Sequence, residues 1–223
     1  KYEKKEKKLM LQSIYELIPS QLLKQNRRFN LADIKKGMKF ERIEDSFLWL
    51  KAAGAAICVY NSTEPRISLK QNEKSSLVKL YLSDVGLLTC MYVKNTKLGI
   101  LTGTGLNLGG IYENTVAMEL KRHGYELYYY NSRKLGELDF VVESKGYVLP
   151  VEVKSGKDYY VHSAINNVLE VEDFSINEAI VFTNYNVKTK GRVTYYPIYM
   201  STFIYDDTIL PVLEVKSPNR KIH

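Results

Sequence analysis

Cysteine and histidine are both scarce in this sequence of 223 residues. Its two cysteines, Cys58 and Cys90, stand at neither metal-binding nor redox spacing, which excludes a disulfide framework and a zinc or redox centre of the Cys-x-x-Cys kind. The three histidines, His123, His162 and His223, are scattered and build no zinc motif. The thiols are therefore expected as reduced residues of a cytoplasmic protein. No apolar run approaches the roughly 18 residues that a membrane span needs, so no membrane partner is expected. The start "KYEKKEKKLM" is followed by "LQSIYELI", too short and too polar for the core of a signal peptide. The Gly-rich loop ending in Gly-Lys-Ser/Thr is also missing, so the chain shows no means of binding ATP by itself. The first residue is not methionine, which points to a fragment of a longer protein.

What is present is an ordinary folding composition, 45% hydrophobic and 26% charged, with an unusual 18 tyrosines. The net charge of +7 is uneven. Residues 1–106 carry 19 Lys and Arg against 10 Asp and Glu, an excess of +9. Residues 107–223 carry 13 against 15, a balance of −2. The first half suits a polyanion, although the basic start "KYEKKEKK" supplies part of its excess and reads equally well as a solvated helix end.

Helical periodicity runs through "LMLQSIYELIPSQLLKQN", with Pro19 opening a second segment. Asn30 is placed to cap a short helix "LADIKK" that Gly37 ends. A further helix, "ERIEDSFLWLKAAG", aligns Ile43, Phe47, Leu50 and Ala53 on one stripe and stops at Gly54. Then "AAICVYNS" and "LVKLYLSD" read as a hairpin. Three helices followed by a hairpin is the element order of a winged helix, predicted over residues 1–98. The face of its third helix is mixed in charge, carrying Glu41, Arg42, Glu44, Asp45 and Lys51, so groove binding and protein docking both remain open. The stretch "KNTKLGILTGTGLNLGG" reads as a loop or linker.

From Ile111 the pattern changes. The helix "IYENTVAMELKRHG" precedes strands at "YELYYYNS", "GELDFVVES" and "YVLPVEVKS", a helix at "SAINNVLEVE", and strands at "EAIVFT" and "RVTYYPIYM". This order predicts, over residues 99–223, a mixed central sheet flanked by helices, an α+β or α/β class.

Within that order, "ELDFVVESKGYVLPVEVKSG" sets charges into strands that otherwise resemble core. If Lys145-Gly146 form a two-residue turn, residues whose numbers sum to 291 are opposed, which places Asp139 against Glu152. Opposed residues share a face with Cβ atoms roughly 4.5–5.5 Å apart, and Lys154 lies on the same face two residues on. Two facing carboxylates repel unless a cation sits between them. Asp139, Glu152 and the Val153 carbonyl would suit Mg²⁺, with Lys154 beside a bound water. A cross-strand salt bridge on a solvated edge is the alternative, and Pro150 could introduce a bulge.

"GELDFVV" followed by "LPVEVKSG", with Glu113 on the preceding helix, resembles the core of the PD-(D/E)XK nuclease superfamily. More narrowly, "KLYLSDVGLLTCM", then "GIYENTVAMELKRHGYELYYYNS", then those two strands is similar to the C-terminal region of a group of prokaryotic AAA+ ATPases. There a winged helix and a nuclease-like domain of unknown function follow the ATPase module. The resemblance implies that Asp139, Glu152 and Glu113 are metal ligands for Mg²⁺ or Mn²⁺ and that Lys154 is the catalytic lysine. Leu138 replaces the usual proline before the first acid. Glu113 also has a plainer explanation, because an acid in the first turn of a helix favours the dipole. Lys157, Asn166 and Asn167 lie near the motif without a firm role.

The expected function is that of an AAA+ C-terminal fragment engaging DNA and hydrolysing phosphodiester bonds. Its implied partners are DNA and the ATPase module of the same full-length protein, with self-association left open. The alternative is a non-catalytic module that binds DNA or protein on behalf of the ATPase, favoured by the unbasic second half. A part in a toxin–antitoxin or defence system is a third possibility.

Overall fold

The computed structural model describes residues 2–92, 94–102 and 108–205. Chain order runs through helix α1 (Tyr2–Leu22), α2 (Glu44–Ala52), strands β1 (Ala56–Ser62) and β2 (Glu73–Leu82), then α3 (Val85–Met91), α4 (Lys94–Thr102) and α5 (Gly109–Arg122). Next come β3 (Tyr128–Ser132), β4 (Gly136–Ser144), β5 (Tyr147–Lys154), α6 (Ser163–Leu169), β6 (Ala179–Thr183), β7 (Lys188–Lys190) and β8 (Val193–Pro197). All eight strands form one mixed sheet in the order β2-β1-β3-β4-β5-β6-β8-β7, with helices against it, as the α+β class predicts.

The sheet unites the two halves. Hairpin β1–β2 forms as expected, but β1 also pairs in parallel with β3 through Tyr60↔Tyr128, Asn61↔Tyr129 and Ser62↔Tyr130. Every residue of β1 is buried, as befits a strand inside a sheet rather than at a solvated wing. The strands of residues 1–98 and of residues 99–223 thus share one sheet.

Local sequence explains most element bounds. Ile43, just before α2, and Phe47 and Leu50 along it are buried at helical spacing, and Gly54, at φ 66°, ends it. Ala53, expected on the same stripe, is exposed just past the helix. Asn30 does cap a turn, accepting the Ala32 N–H, but only a single 3-10 turn, Leu31–Asp33, follows. Pro19 opens no new helix, because α1 runs through it. Ile14, Ile18 and Leu22 are buried at spacings of four on both sides, and that burial holds the helix together across the missing N–H. The expected linker begins as helix α4, a single Gly99 being tolerable in a helix, while residues 103–107 lie outside the described residues. Strand β7, a Lys-Thr-Lys edge without apolar alternation, has no periodic signal in sequence.

One close approach places the N-terminal helix relative to the second half. A Cβ at Gly110 would fall 2.0 Å from the Leu22 carbonyl oxygen, so the end of α1 meets the start of α5 backbone to backbone. Gly110→Ala is expected to cost ~1–3 kcal/mol through forced displacement. It should appear as a lower urea midpoint at an unchanged slope. An unshifted midpoint would mean that this contact does not hold the two helices.

Candidate active site

The hairpin β4–β5 carries the predicted constellation. Lys145 (φ 51°) and Gly146 (φ 84°) form the two-residue turn, with the left-handed backbone at both positions that this hairpin turn requires. The register follows the predicted sum from Ser144↔Tyr147 to Phe140↔Val151, and Pro150 stands opposite Val141 without shifting it. Regular pairing stops there, one pair short of Asp139 and Glu152. In place of a main-chain acceptor, the Asp139 carboxylate accepts the Val153 N–H through Oδ2 at 2.9 Å.

Glu152 is buried at 5% exposure, and its Oε1 lies 2.7 Å from Lys154 Nζ. Its other oxygen, Oε2, is buried without a hydrogen-bond partner among the described residues. Burial and then the Asp139 charge raise the Glu152 carboxyl to about 7, against the opposing effect of Lys154. Burial alone would lower Lys154, but the charge and hydrogen bond of Glu152, with the charges of Asp139 and Glu113, hold it above its ordinary value. Lys154 is therefore an ammonium at neutral pH, suited to stabilising negative charge and unsuited to taking a proton.

Glu113 joins them from the first half of α5 and is buried at 2% exposure. It is not the solvated dipole residue of the plainer explanation. Its Oε1 lies 2.5 Å from Arg27 Nη1, and its Oε2 accepts the Tyr81 hydroxyl at 3.1 Å. Burial and then the nearby Asp139 push its carboxyl up to about 8, while Arg27, Lys79 and the Tyr81 hydrogen bond oppose the shift.

Arg27, Lys79, Tyr81 and Glu137 are the residues that sequence reasoning missed. Lys79 is almost fully buried, 2.6 Å from Glu137 Oε1 and with its ammonium 4.9 Å from the centre of the Tyr129 ring. Burial would lower it, but Asp139, Glu113 and Glu137 together keep it raised. The Tyr81 ring packs on Phe140 with centroids 5.5 Å apart. One signal was available: "LVKLYLSD" sets a lysine into an apolar strand, the same anomaly that marks Glu152. Arg27 gives no such signal. It lies five residues beyond Leu22, and the contact of Leu22 with Gly110 brings it to Glu113.

The remaining candidates have other surroundings. Asn167 donates to the Leu135 carbonyl at 3.1 Å, Asn166 is exposed on α6, and Lys157 is exposed in the loop after β5. Cys58 is buried and Cys90 exposed, both free. Among the described residues no group of three or more His, Cys, Asp or Glu side chains is arranged to hold a metal ion. Asp139 and Glu152 are two carboxylates, the number that Mg²⁺ commonly takes from a protein, and the unpartnered Glu152 Oε2 fits a cation ligand. Glu113 has both oxygens engaged and would have to give up Arg27 to become a third ligand.

Among the described residues no helix is long and apolar enough to cross a membrane. No curated protein and no solved structure matches the chain. Residues 1–100 match the model of a family described as a domain of unknown function, DUF8612, and residues 108–200 match that of another, DUF4143.

Proposed function

We propose that this chain is a metal-dependent phosphodiester hydrolase module acting on DNA, in the C-terminal portion of an AAA+ ATPase. The observation that carries the proposal is Glu152. A buried carboxylate with one oxygen unpartnered, beside Asp139 and an ammonium at 2.7 Å, destabilises the fold, and a purely structural strand has no use for it. The placement in an ATPase rests on the sequence resemblance and on the match over residues 108–200, to a domain often found in AAA-ATPase-associated C-terminal regions.

In this reading Asp139 and Glu152 would hold Mg²⁺ or Mn²⁺, and the ion would supply Lewis-acid polarisation of a phosphate and an offset to its charge. Lys154, kept protonated by Glu152, supplies a positive charge for the oxygens that become more negative in the transition state. Arg27 and Tyr81 hold Glu113 in place beside Asp139 and Lys154. The ATPase module of the same protein supplies nucleotide-driven remodelling. A cytoplasmic setting agrees with the free thiols.

A second reading is favoured by one observation. Glu113 is tied down by Arg27 and Tyr81, as in a domain that has kept the constellation for structure and binds DNA or protein without cutting. The test is incubation of labelled linear, flapped and four-way-junction DNA with Mg²⁺, Mn²⁺ or EDTA. Cutting that EDTA abolishes is the expected result. Salt-sensitive binding with no cutting in either metal would reject the hydrolase in favour of the second reading.

A further inference from the structure

Beside the carboxylates, the sheet carries an exposed aromatic cluster that the hydrolase reading does not use. The Tyr159 ring stacks on Tyr185, with centroids 4.4 Å apart and planes at 26°, and meets Tyr160 at 4.1 Å. Its other contact is the ring of buried Tyr195, edge-on at 5.6 Å. The hydroxyl of Tyr195 lies 2.6 Å from His162 Nε2, so the cluster has a fixed base. Above that base Tyr160 is 55% exposed and Tyr185 39%, with Val161 and Val187 exposed beside them. Buried tyrosines are common in this protein, but exposed rings gathered on two loops are not a packing requirement.

Strand register ties this cluster to the candidate site. Glu152 pairs with Val181, Val181 with Tyr195, and Tyr195 with Lys188. Residues paired across neighbouring strands share a face, so Glu152, Tyr195 and Lys188 lie along one line on one face of the sheet. Three strand spacings separate Glu152 from Lys188, roughly 14 Å. Lys154 pairs with Thr183, whose hydroxyl oxygen accepts the Tyr185 N–H at 2.9 Å, and Asn184 donates to the Ser155 carbonyl at 3.1 Å. The two tyrosine-bearing loops are thus fastened to each other and to the strand that ends at Lys154. Lys190, opposite Val193, shares the face of Lys188, and both lysines are exposed. The stretch "NYNVKTK", residues 184–190, contains no acid.

We infer that Tyr159, Tyr160 and Tyr185, flanked by Lys188 and Lys190, form a stacking platform for unpaired bases of a nucleic acid whose backbone runs on to Asp139, Glu152 and Lys154. Exposed rings accept any base face, and lysines spaced along an edge strand meet phosphates, which is the chemistry that single strands offer and a closed duplex does not. The inference rests on the nucleic-acid reading above but not on cleavage. It makes the substrate one with an unpaired segment, such as a flap, an overhang or a single strand.

The test measures anisotropy of labelled oligo-dT, oligo-U and duplex DNA with the 223-residue chain in EDTA, so that no cutting interferes. Tyr160→Ala and Tyr185→Ala are the informative variants, since Tyr159 touches three rings and its truncation could disturb the fold. Each is expected to weaken single-strand binding between about five-fold and about a hundred-fold, the range of one lost stack. Tyr160→Phe should bind as the unaltered chain does, because the ring and not the hydroxyl is used. Lys188→Gln and Lys190→Gln should each lower the salt slope by about 0.7. Trp49→Ala serves as control, on α2 against β1, five strands from β8. Tyrosine variants that bind single strands like the unaltered chain, or equal affinity for duplex and single strand, would overturn the platform. So would no binding to any nucleic acid, which would leave the tyrosines to a protein partner. Metal-dependent cutting is scored separately. Cutting without tyrosine dependence keeps the hydrolase and rejects the platform, and tyrosine-dependent binding without cutting does the reverse.

Discussion

Glu152→Gln is expected to lower metal-dependent cleavage by at least ~100-fold, in keeping with the loss of a metal-holding or proton-handling carboxylate. The substitution keeps the shape of the side chain and its contact with Lys154, so the loss cannot be assigned to a cavity. Lys154→Met is expected to cost ~10²–10³ in rate, as for removal of one charge-stabilising donor. Stability should move the other way from activity. The folded state holds a proton on Glu152 up to about pH 7, whereas the unfolded chain releases it near 4.5. A carboxyl raised in this way makes the metal-free protein lose stability as pH rises through that window. Glu152→Gln has no such component, so its stability relative to the unaltered chain should increase from pH 4.5 to 7 in EDTA. Thermal melts across that range, beside a cleavage time course, separate the two effects. Cleavage by Glu152→Gln at the unaltered rate would remove this site from the chemistry.

Arg27→Met is expected to lower stability strongly at alkaline pH. Arg27 and Glu113 form a buried pair, 13% and 2% exposed at their side chains, and removing one partner of such a pair costs ~3–5 kcal/mol. The Glu113 carboxyl, already raised to about 8, can take up a proton when the guanidinium is gone. The loss should therefore be small near pH 5 and grow as pH rises through 8, where the folded state must either bury a charge or hold a proton that the unfolded chain has released. Adding Glu113→Gln should recover part of the loss, and the double-mutant cycle gives the coupling directly. An Arg27→Met protein that melts like the unaltered chain at pH 9 would show that the N-terminal segment is not anchored through Glu113. The same variant asks whether that segment restrains the site, because Glu113 then keeps only one of its two partners, the Tyr81 hydroxyl.

The hairpin at the centre of the site was legible because its information is local. A Lys-Gly turn, alternation on either side and three charges in apolar strands set the register and the shared side of Asp139, Glu152 and Lys154, and the structure keeps the register up to Phe140↔Val151. What that register did not contain is the splaying beyond it, where the Asp139 side chain replaces a main-chain acceptor. Period-2 patterning describes the ladder and says nothing of where it ends. Glu113 was placed by resemblance, and only burial distinguishes it from an ordinary acid at a helix start. Pro19 was misjudged because a local breaker was given more weight than the buried residues around it, and in the glycine-rich stretch Gly99 was given more weight than the helix formers Lys97, Leu98 and Leu101 beside it.

By itself the sequence determined the mixed helix–strand class, the strand sequence from β3 to β6, the turn at Lys145-Gly146 and the cluster of acids and lysine beside it. These follow from chain-local geometry, namely backbone freedom at a turn and side-chain direction along a strand. Tertiary structure alone decided that β1 enters the same sheet as β3, that Arg27 and Lys79 reach into the carboxylates, and that Tyr159, Tyr160 and Tyr185 meet beside Lys154. Each of these joins residues far apart in the chain, through a parallel pairing, a glycine-mediated helix contact or two loops on neighbouring strands. No periodicity in one segment records which distant segment will cover it, because that choice is made by the burial of the whole sheet at once.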